Sequence, residues 1–112
     1  MGDRISIKNS VFCIVDLETT GINAKTDMII EVGIVKVSNF KIVDKFHQIV
    51  DPLRKIPSKV TEITGITNDI IQGMPTICDI TNEVINFINN CVWVEHSRNW
   101  FDYNFRGCFM FV

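Results

Sequence analysis

Val11-Phe12-Cys13-Ile14-Val15-Asp16-Leu17-Glu18-Thr19-Thr20-Gly21-Ile22 is the stretch from which the fold of this chain is read. The apolar run Val11 to Val15 is short enough for a strand and too continuous for one with a face in water, so it predicts a buried central strand. Asp16 and Glu18 sit two residues apart. If the extended conformation persists, their side chains leave the same face about 7 Å apart at the Cα level. Two carboxylates held side by side repel each other, and a bound cation relieves that repulsion best. Hard oxygen donors with no His or Cys nearby favour Mg²⁺ or Mn²⁺ over Zn²⁺. Thr19, Thr20 and Gly21 then turn the chain away with exposed backbone N–H groups. Taken alone, an Asp-x-Glu followed by a Thr-Gly turn is also an ordinary way for a strand to end.

Working outward, Met28 to Val37 is a β-branched run with one Gly and predicts a second strand. Ser38 and Asn39 suggest a hairpin turn. Lys41 to Val50 alternates as a third strand, with Lys41, Lys45 and His47 on one side and Ile42, Phe46 and Val50 on the other. Three sequential strands joined by short loops form an antiparallel meander. Pro52 and Pro57 end it. Ser58 is the expected N-cap of a short helix through Ile63 that stops at Gly65, and Thr67 caps a further turn ending at Gly73. The clearest helix follows Thr76, with Asp79 three residues on and Ile77, Ile80, Val84, Phe87 and Ile88 at spacings of three and four. Asn89-Asn90 breaks it. Cys91 to Val94 then returns as a fourth strand, parallel to the first because a helical crossover precedes it.

At 112 residues the chain holds at most one domain, with residues 1 to 10 as a polar lead-in and residues 11 to 112 as the folded part. A hydrophobic content of 46% against 21% charged residues makes it globular rather than disordered. The formal net charge of −2 argues against holding nucleic acid by bulk electrostatics, while leaving open an enzyme that grips only a strand end. Arg54, Lys55 and Lys59 read as a solvated loop in preference to a phosphate-contacting edge. No apolar run approaches membrane-spanning length and no cationic segment precedes an apolar one, so the expected location is cytoplasmic, with no membrane partner. Met1-Gly2-Asp3-Arg4-Ile5-Ser6 fits the loose N-myristoylation pattern, a match too short to carry weight. Cys13, Cys78, Cys91 and Cys108 form no C-x-x-C pair and read as reduced core residues.

The string Asp16-Leu17-Glu18-Thr19-Thr20-Gly21 after an apolar strand closely resembles the first motif of the DEDD (DnaQ-like) 3′–5′ exonucleases, the family of the proofreading exonucleases of bacterial DNA polymerase III. Ile29-Ile30-Glu31-Val32-Gly33, Val50-Asp51-Pro52, Ile56-Pro57 and Thr64-Gly65-Ile66-Thr67 look like further segments of that family, especially of the domain embedded in the Gram-positive replicative polymerase. The order β-β-β-α-β-α matches its ribonuclease H-like fold. The expected class is thus α/β, with a mixed sheet of three antiparallel strands and a parallel one after the crossover, C-terminally truncated. Glu31, the one charge in an apolar strand, reads as a hydrogen-bonded strand carboxylate in preference to a metal ligand, and His47 as a surface residue.

The family's second motif is His-Asn-x-x-Phe-Asp. Here the chain reads His96-Ser97-Arg98-Asn99-Trp100-Phe101-Asp102, one residue longer and with Ser97 in place of Asn. By the resemblance Asp102 is the third metal-site carboxylate. A helix N-terminal Asp favoured by the macrodipole is the competing reading. His96 is either a substrate contact or a structural His at a strand end. The last 20 residues hold seven of the eleven aromatics, expected to be buried on a helix in preference to stacking on bases. The family's third motif, with its general base and fourth carboxylate, lies beyond Val112.

The resemblance implies hydrolysis of phosphodiester bonds at a DNA or RNA 3′ end by a two-metal mechanism, with two Mg²⁺ or Mn²⁺ ions about 4 Å apart stabilising the attacking and leaving oxygens. It implies that Asp16 bridges both ions, that Glu18 holds the one activating water, and that Asp102 holds the other. Thr19, Thr20 and Gly21 would receive the terminal nucleotide, Ile22 would abut its base, and DNA polymerase subunits are the expected protein partners. Without the third motif the activity is expected to be impaired. The alternative is a non-catalytic remnant or truncated product that binds a strand end or a polymerase subunit.

Overall fold

In the computed structural model, which describes residues 10–23 and 25–95, with the side chain of Glu95 left aside, the first strand, β1 (Val11–Thr19), runs on through both carboxylates and does not stop at Val15. Its extension follows from its neighbour. β2 (Ile29–Ser38) pairs antiparallel along the whole of it, from Val11 opposite Ser38 to Thr19 opposite Ile29, with one irregularity between Glu18 and Thr19. β3 (Lys41–Ile49) continues the meander, and β4 (Val92–Glu95) lies parallel to β1 on its other side, giving the sheet order β3-β2-β1-β4. The mixed sheet expected from the sequence, three antiparallel strands and one parallel, is the one observed.

Two details of the meander differ from expectation. The hairpin turn is Asn39-Phe40, both in the left-handed region at φ 52° and 63°, while Ser38 still belongs to β2. A two-residue loop with positive φ at both positions matches the twist of the flanking strands, which explains why Phe40 tolerates a conformation that its side chain disfavours. The register also shifts opposite Lys36 and Val37, where Asp44 and then Ile42 pair and Val43 is passed over. That bulge inverts the alternation, so Ile42 stands opposite Val37 on one face while Phe46 stands opposite Ile34 on the other, and Lys41 is likewise separated from Lys45 and His47.

Between β3 and β4 in the chain lie α1 (Ser58–Thr64) and α2 (Ile77–Ile88). Ser58 is not the N-cap of α1. Pro57 takes that place without a side-chain cap, and its carbonyl receives the N–H groups of Val60 and Thr61, so Ser58 is already helical. Gly65 ends the helix at φ 77° and returns its N–H to the Thr61 carbonyl, as expected of a C-terminal glycine. The turn after it is capped as read, with Ile70 N–H donating to Thr67 Oγ1 at 3.2 Å and Gly73 at φ 80°. α2 carries the full capping box: Asp79 N–H donates to Thr76 Oγ1, and Thr76 N–H donates to Asp79 Oδ2 at 2.9 Å.

α2 packs on one face of the sheet. Cys13, Val15 and Leu17 of β1 and Val32 and Ile34 of β2 meet Ile80 and Val84 there, with Phe46 and Phe87 tilted against each other at 5.8 Å between ring centres. Lys36 Nζ sits 4.2 Å from the centre of the Phe87 ring, closing the edge of this core. A second cluster of Ile30, Ile56, Ile66 and Ile71 anchors the segment from Pro52 to Gly73. Asn68 fastens it further, accepting from Ile56 N–H at 2.8 Å and donating to the Ile56 carbonyl. Cys13 is buried and its thiol is pushed up to about 12, first by burial and then by its contact with Cys91. Both are free thiols, Cys13 buried and Cys91 partly so. Cys78 departs from the reading, since it is exposed on α2.

Candidate functional site

β1 alternates strictly, so the residues between the core positions all leave the opposite face. Phe12, Ile14, Asp16 and Glu18 share it with Glu31, Gly33, Val35 and Val37 of β2 and with Lys45 and His47 of β3. Asp16 is exposed and Glu18 is partly so. The conditional expectation, two carboxylates on one face at the end of a buried strand, is the arrangement found.

Cross-strand pairing defines what surrounds them. Asp16 stands opposite Gly33, which in turn stands opposite His47, while Glu18 stands opposite Glu31. The missing side chain at Gly33 leaves a depression of about 330 Å³ whose lining includes Ile14, Asp16, Val35, Lys45 and His47. A methyl group there would meet the Asp16 carbonyl oxygen at 3.6 Å, an ordinary contact, so the glycine makes room above the sheet and is not forced by crowding of the backbone. Glu31 is hydrogen bonded, as read, and its partner is His47 Nε2 at 2.5 Å.

The turn after β1 is held more tightly than its composition suggests. Thr20 is only 3% exposed; its N–H donates to the Met28 carbonyl at 2.8 Å, and its hydroxyl accepts from Met28 N–H and donates to Asp27 Oδ1. The exposed N–H expected at Thr20 is therefore committed to the fold. Thr19 Oγ1 donates to the Gly21 carbonyl at 2.6 Å. Asp27 Oδ2 accepts from Asn23 N–H, so one carboxylate spans the loop. Gly21 is required by this arrangement, because a Cβ there would lie 2.5 to 2.9 Å from the three Asp27 carboxyl atoms. Ile22, next along, is 89% exposed. Arg54, exposed like Lys55 and Lys59, adds a strut from outside by donating to the Thr26 carbonyl.

Asp27 and the His47–Glu31 pair are the polar residues around the site that the sequence reading did not bring together. The single available signal for Asp27 was a carboxylate at the foot of the second strand, facing a Thr-Thr-Gly turn. The pairing of His47 with Glu31 needs the strand register, which the bulge at Val43 obscures. His96 and Asp102 lie outside the described residues, as do the lead-in up to residue 9 and the aromatic segment after Trp93.

Among the described residues no three His, Cys, Asp or Glu side chains converge as a metal cage. Asp16 and Glu18 nevertheless form a hard-oxygen pair of the kind that Mg²⁺ or Mn²⁺ accepts with water or phosphate completing the shell. The donor set fits a divalent ion as part of a larger site.

A family model described as Exonuclease, of the RNase T type, matches residues 13–107, and the chain belongs to this family. It is 39% identical over 100 residues to a DNA polymerase III PolC-type of Thermotoga petrophila, covering 89% of this chain and 7% of that protein. With the PolC-type polymerase of Clostridium perfringens it shares 43% identity over 86 residues, 77% of this chain and 6% of that one. The chain thus spans less than a tenth of the length of these relatives. In structure it is similar to apo exonuclease I, with a TM-score of 0.75 at 16% identity over 86% of this chain and 23% of that one. A similar match is E. coli exonuclease I in complex with a dA16 oligonucleotide, at a TM-score of 0.74. These likenesses establish the ribonuclease H-like exonuclease fold, and exonucleases of this fold are generally divalent-metal dependent. Among the described residues no helix is long and apolar enough to cross a membrane.

Proposed function

We propose that this chain hydrolyses phosphodiester bonds at the 3′ end of a single DNA or RNA strand, as in polymerase III proofreading, at a site centred on Asp16 and Glu18. The observation that carries the reading is the persistence of β1 through both carboxylates, which sets them on one face immediately before a turn clamped by Asp27. Mg²⁺ or Mn²⁺ bound there supplies charge neutralisation at the phosphate and lowers the pKa of water. Asp16 and Glu18 orient that charge. Asp102 is the proposed third ligand and His96 a proposed substrate contact. The Thr19 to Gly21 turn receives the terminal nucleotide, its shape set by Thr20 and Asp27, and exposed Ile22 meets the base. The likeness to PolC-type polymerases supports a polymerase as the proposed protein partner and the cytoplasm as the proposed location.

For the 112 residues themselves we propose slow turnover. After Asp102 the sequence holds neither a His nor a further Asp or Glu, so the paired base and fourth carboxylate of the family's third motif are not among these residues. Such a base typically contributes about 10² to 10⁴-fold. Release of nucleotides from a 3′-labelled single strand in Mg²⁺ or Mn²⁺ tests the reading, with Asp16→Ala as the control. Weak release abolished in Asp16→Ala supports it. Release that persists in Asp16→Ala, or Mn²⁺ binding equally tight in Asp16→Ala/Glu18→Ala and the unsubstituted chain, refutes it.

A further inference from the structure

Glu31 is directly opposite Glu18 across β1 and β2. Side chains so placed have Cβ atoms about 4.5 to 5.5 Å apart, and like charges there are destabilising. Asp16 lies one pleat further along the same face. On register alone, three carboxylates should crowd one spot. They do not, since among the described residues no three ligating side chains converge. On the far side of Glu31, its Oε2 is bonded to Nε2 of His47, which reaches diagonally from β3. Gly33, between His47 and Asp16 in the register, carries no side chain, and the imidazole lines the depression together with Asp16.

We propose that His47 is a positioning residue that holds Glu31 out of the cation site. This rests on the reading of Asp16 and Glu18 as the ion-binding pair. A third carboxylate would raise the affinity of the site through ligand charge, while filling coordination positions that a substrate phosphate and water need. Anchored on His47, Glu31 would leave a cation to Asp16 and Glu18 on that side of the site. The pair thus sets how tightly the site binds metal and how many positions it leaves for the strand end. Neither His47 nor Glu31 touches the reacting atoms in this account.

The test is Mn²⁺ affinity of the full 112-residue chain, followed by water-proton relaxation and by calorimetry. In His47→Ala the freed Glu31 turns toward Glu18, and Mn²⁺ binds about tenfold more tightly. The gain disappears in His47→Ala/Glu31→Gln. His47→Gln, whose amide can still donate to Glu31, stays close to the unsubstituted chain. His47 is 61% exposed, so its removal leaves the thermal transition in place and isolates the effect on the ion. A purely structural His would give no gain, and no reversal by Glu31→Gln. Asp16-dependent Mn²⁺ binding that is unchanged or weakened in His47→Ala overturns this inference alone. Absence of any Asp16-dependent binding in the unsubstituted chain overturns the exonuclease reading and this inference with it.

Discussion

On β1 the side chains Cys13, Val15 and Leu17 alternate with Ile14, Asp16 and Glu18, and the two sets share a backbone while answering to different demands. The first set is sealed under α2 by Ile80 and Val84. The second faces a depression, with two carboxylates and a third opposite them kept apart by a histidine. One face of the strand secures the fold and the other holds like charges close together, a cost that the first face must outweigh. Substitutions on the two faces should therefore separate stability from chemistry.

The sharpest contrast is Ile34→Ala, which removes a residue 1% exposed from the sealed face. It should lower unfolding free energy by about 2 to 5 kcal/mol, measured by urea denaturation. A loss below about 1 kcal/mol would mean that α2 collapses onto the gap and that this face is less tightly packed than the contacts indicate. Next in size is Gly21→Ala, on the loop joining the two regimes. Its Cβ would press on the Asp27 carboxyl group, which two hydrogen bonds hold in place, so a cost of about 1 to 3 kcal/mol is expected. Asp27→Ala combined with Gly21→Ala should recover part of that cost; if it recovers none, the clash lies elsewhere.

The sealed face is also pH-sensitive through Cys13. Its thiol is raised from 9.0 to about 12 in the fold, so below pH 9 the fold keeps its full advantage, and as pH rises from 9 toward 12 only the unfolded chain can release the proton. Between pH 8 and pH 10 stability should fall by about 1 kcal/mol from this group. The alkaline slope should flatten in Cys13→Ala even though that variant starts from a lower stability; an unaltered slope would rule the thiol out. The smallest effect belongs to the open face. Asp16→Ala should change unfolding free energy by no more than about 0.5 kcal/mol while removing Mn²⁺ binding. A large loss of stability there would mean that Asp16 serves the fold.

The sealed face and its helix were legible in the sequence because apolar periodicity and capping are local signals. Val11 to Val15 and the spacing of Ile77, Ile80, Val84 and Phe87 carry them directly. The Asp16 and Glu18 pair was legible for a similar reason, since period two decides which side chains share a face once the strand continues. What supplies that continuation is β2, a partner that the β1 residues do not encode. The bulge at Val43 leaves no mark in residue type, so strict alternation sets Ile42 and Phe46 on one face although they lie on opposite faces. Phe40 at positive φ ran against its own preference, which hid the true hairpin turn. Asp27 and His47 act across loops and strands, through pairings that only register reveals.

Val43 has a consequence of another kind. β3 is an outer strand of the sheet, with a row of peptide groups facing outward along Lys41 to Ile49, and exposed Phe40 and Ile42 beside it. A straight strand of that composition would be an invitation for a second molecule to dock and extend the sheet. The extra residue twists the ribbon near its tip, and Lys41, Asp44 and Lys45 place charges along the same stretch. Among the described residues, then, the outer strand carries both a bulge and charges, two devices of the kind that discourage edge-to-edge pairing of sheets.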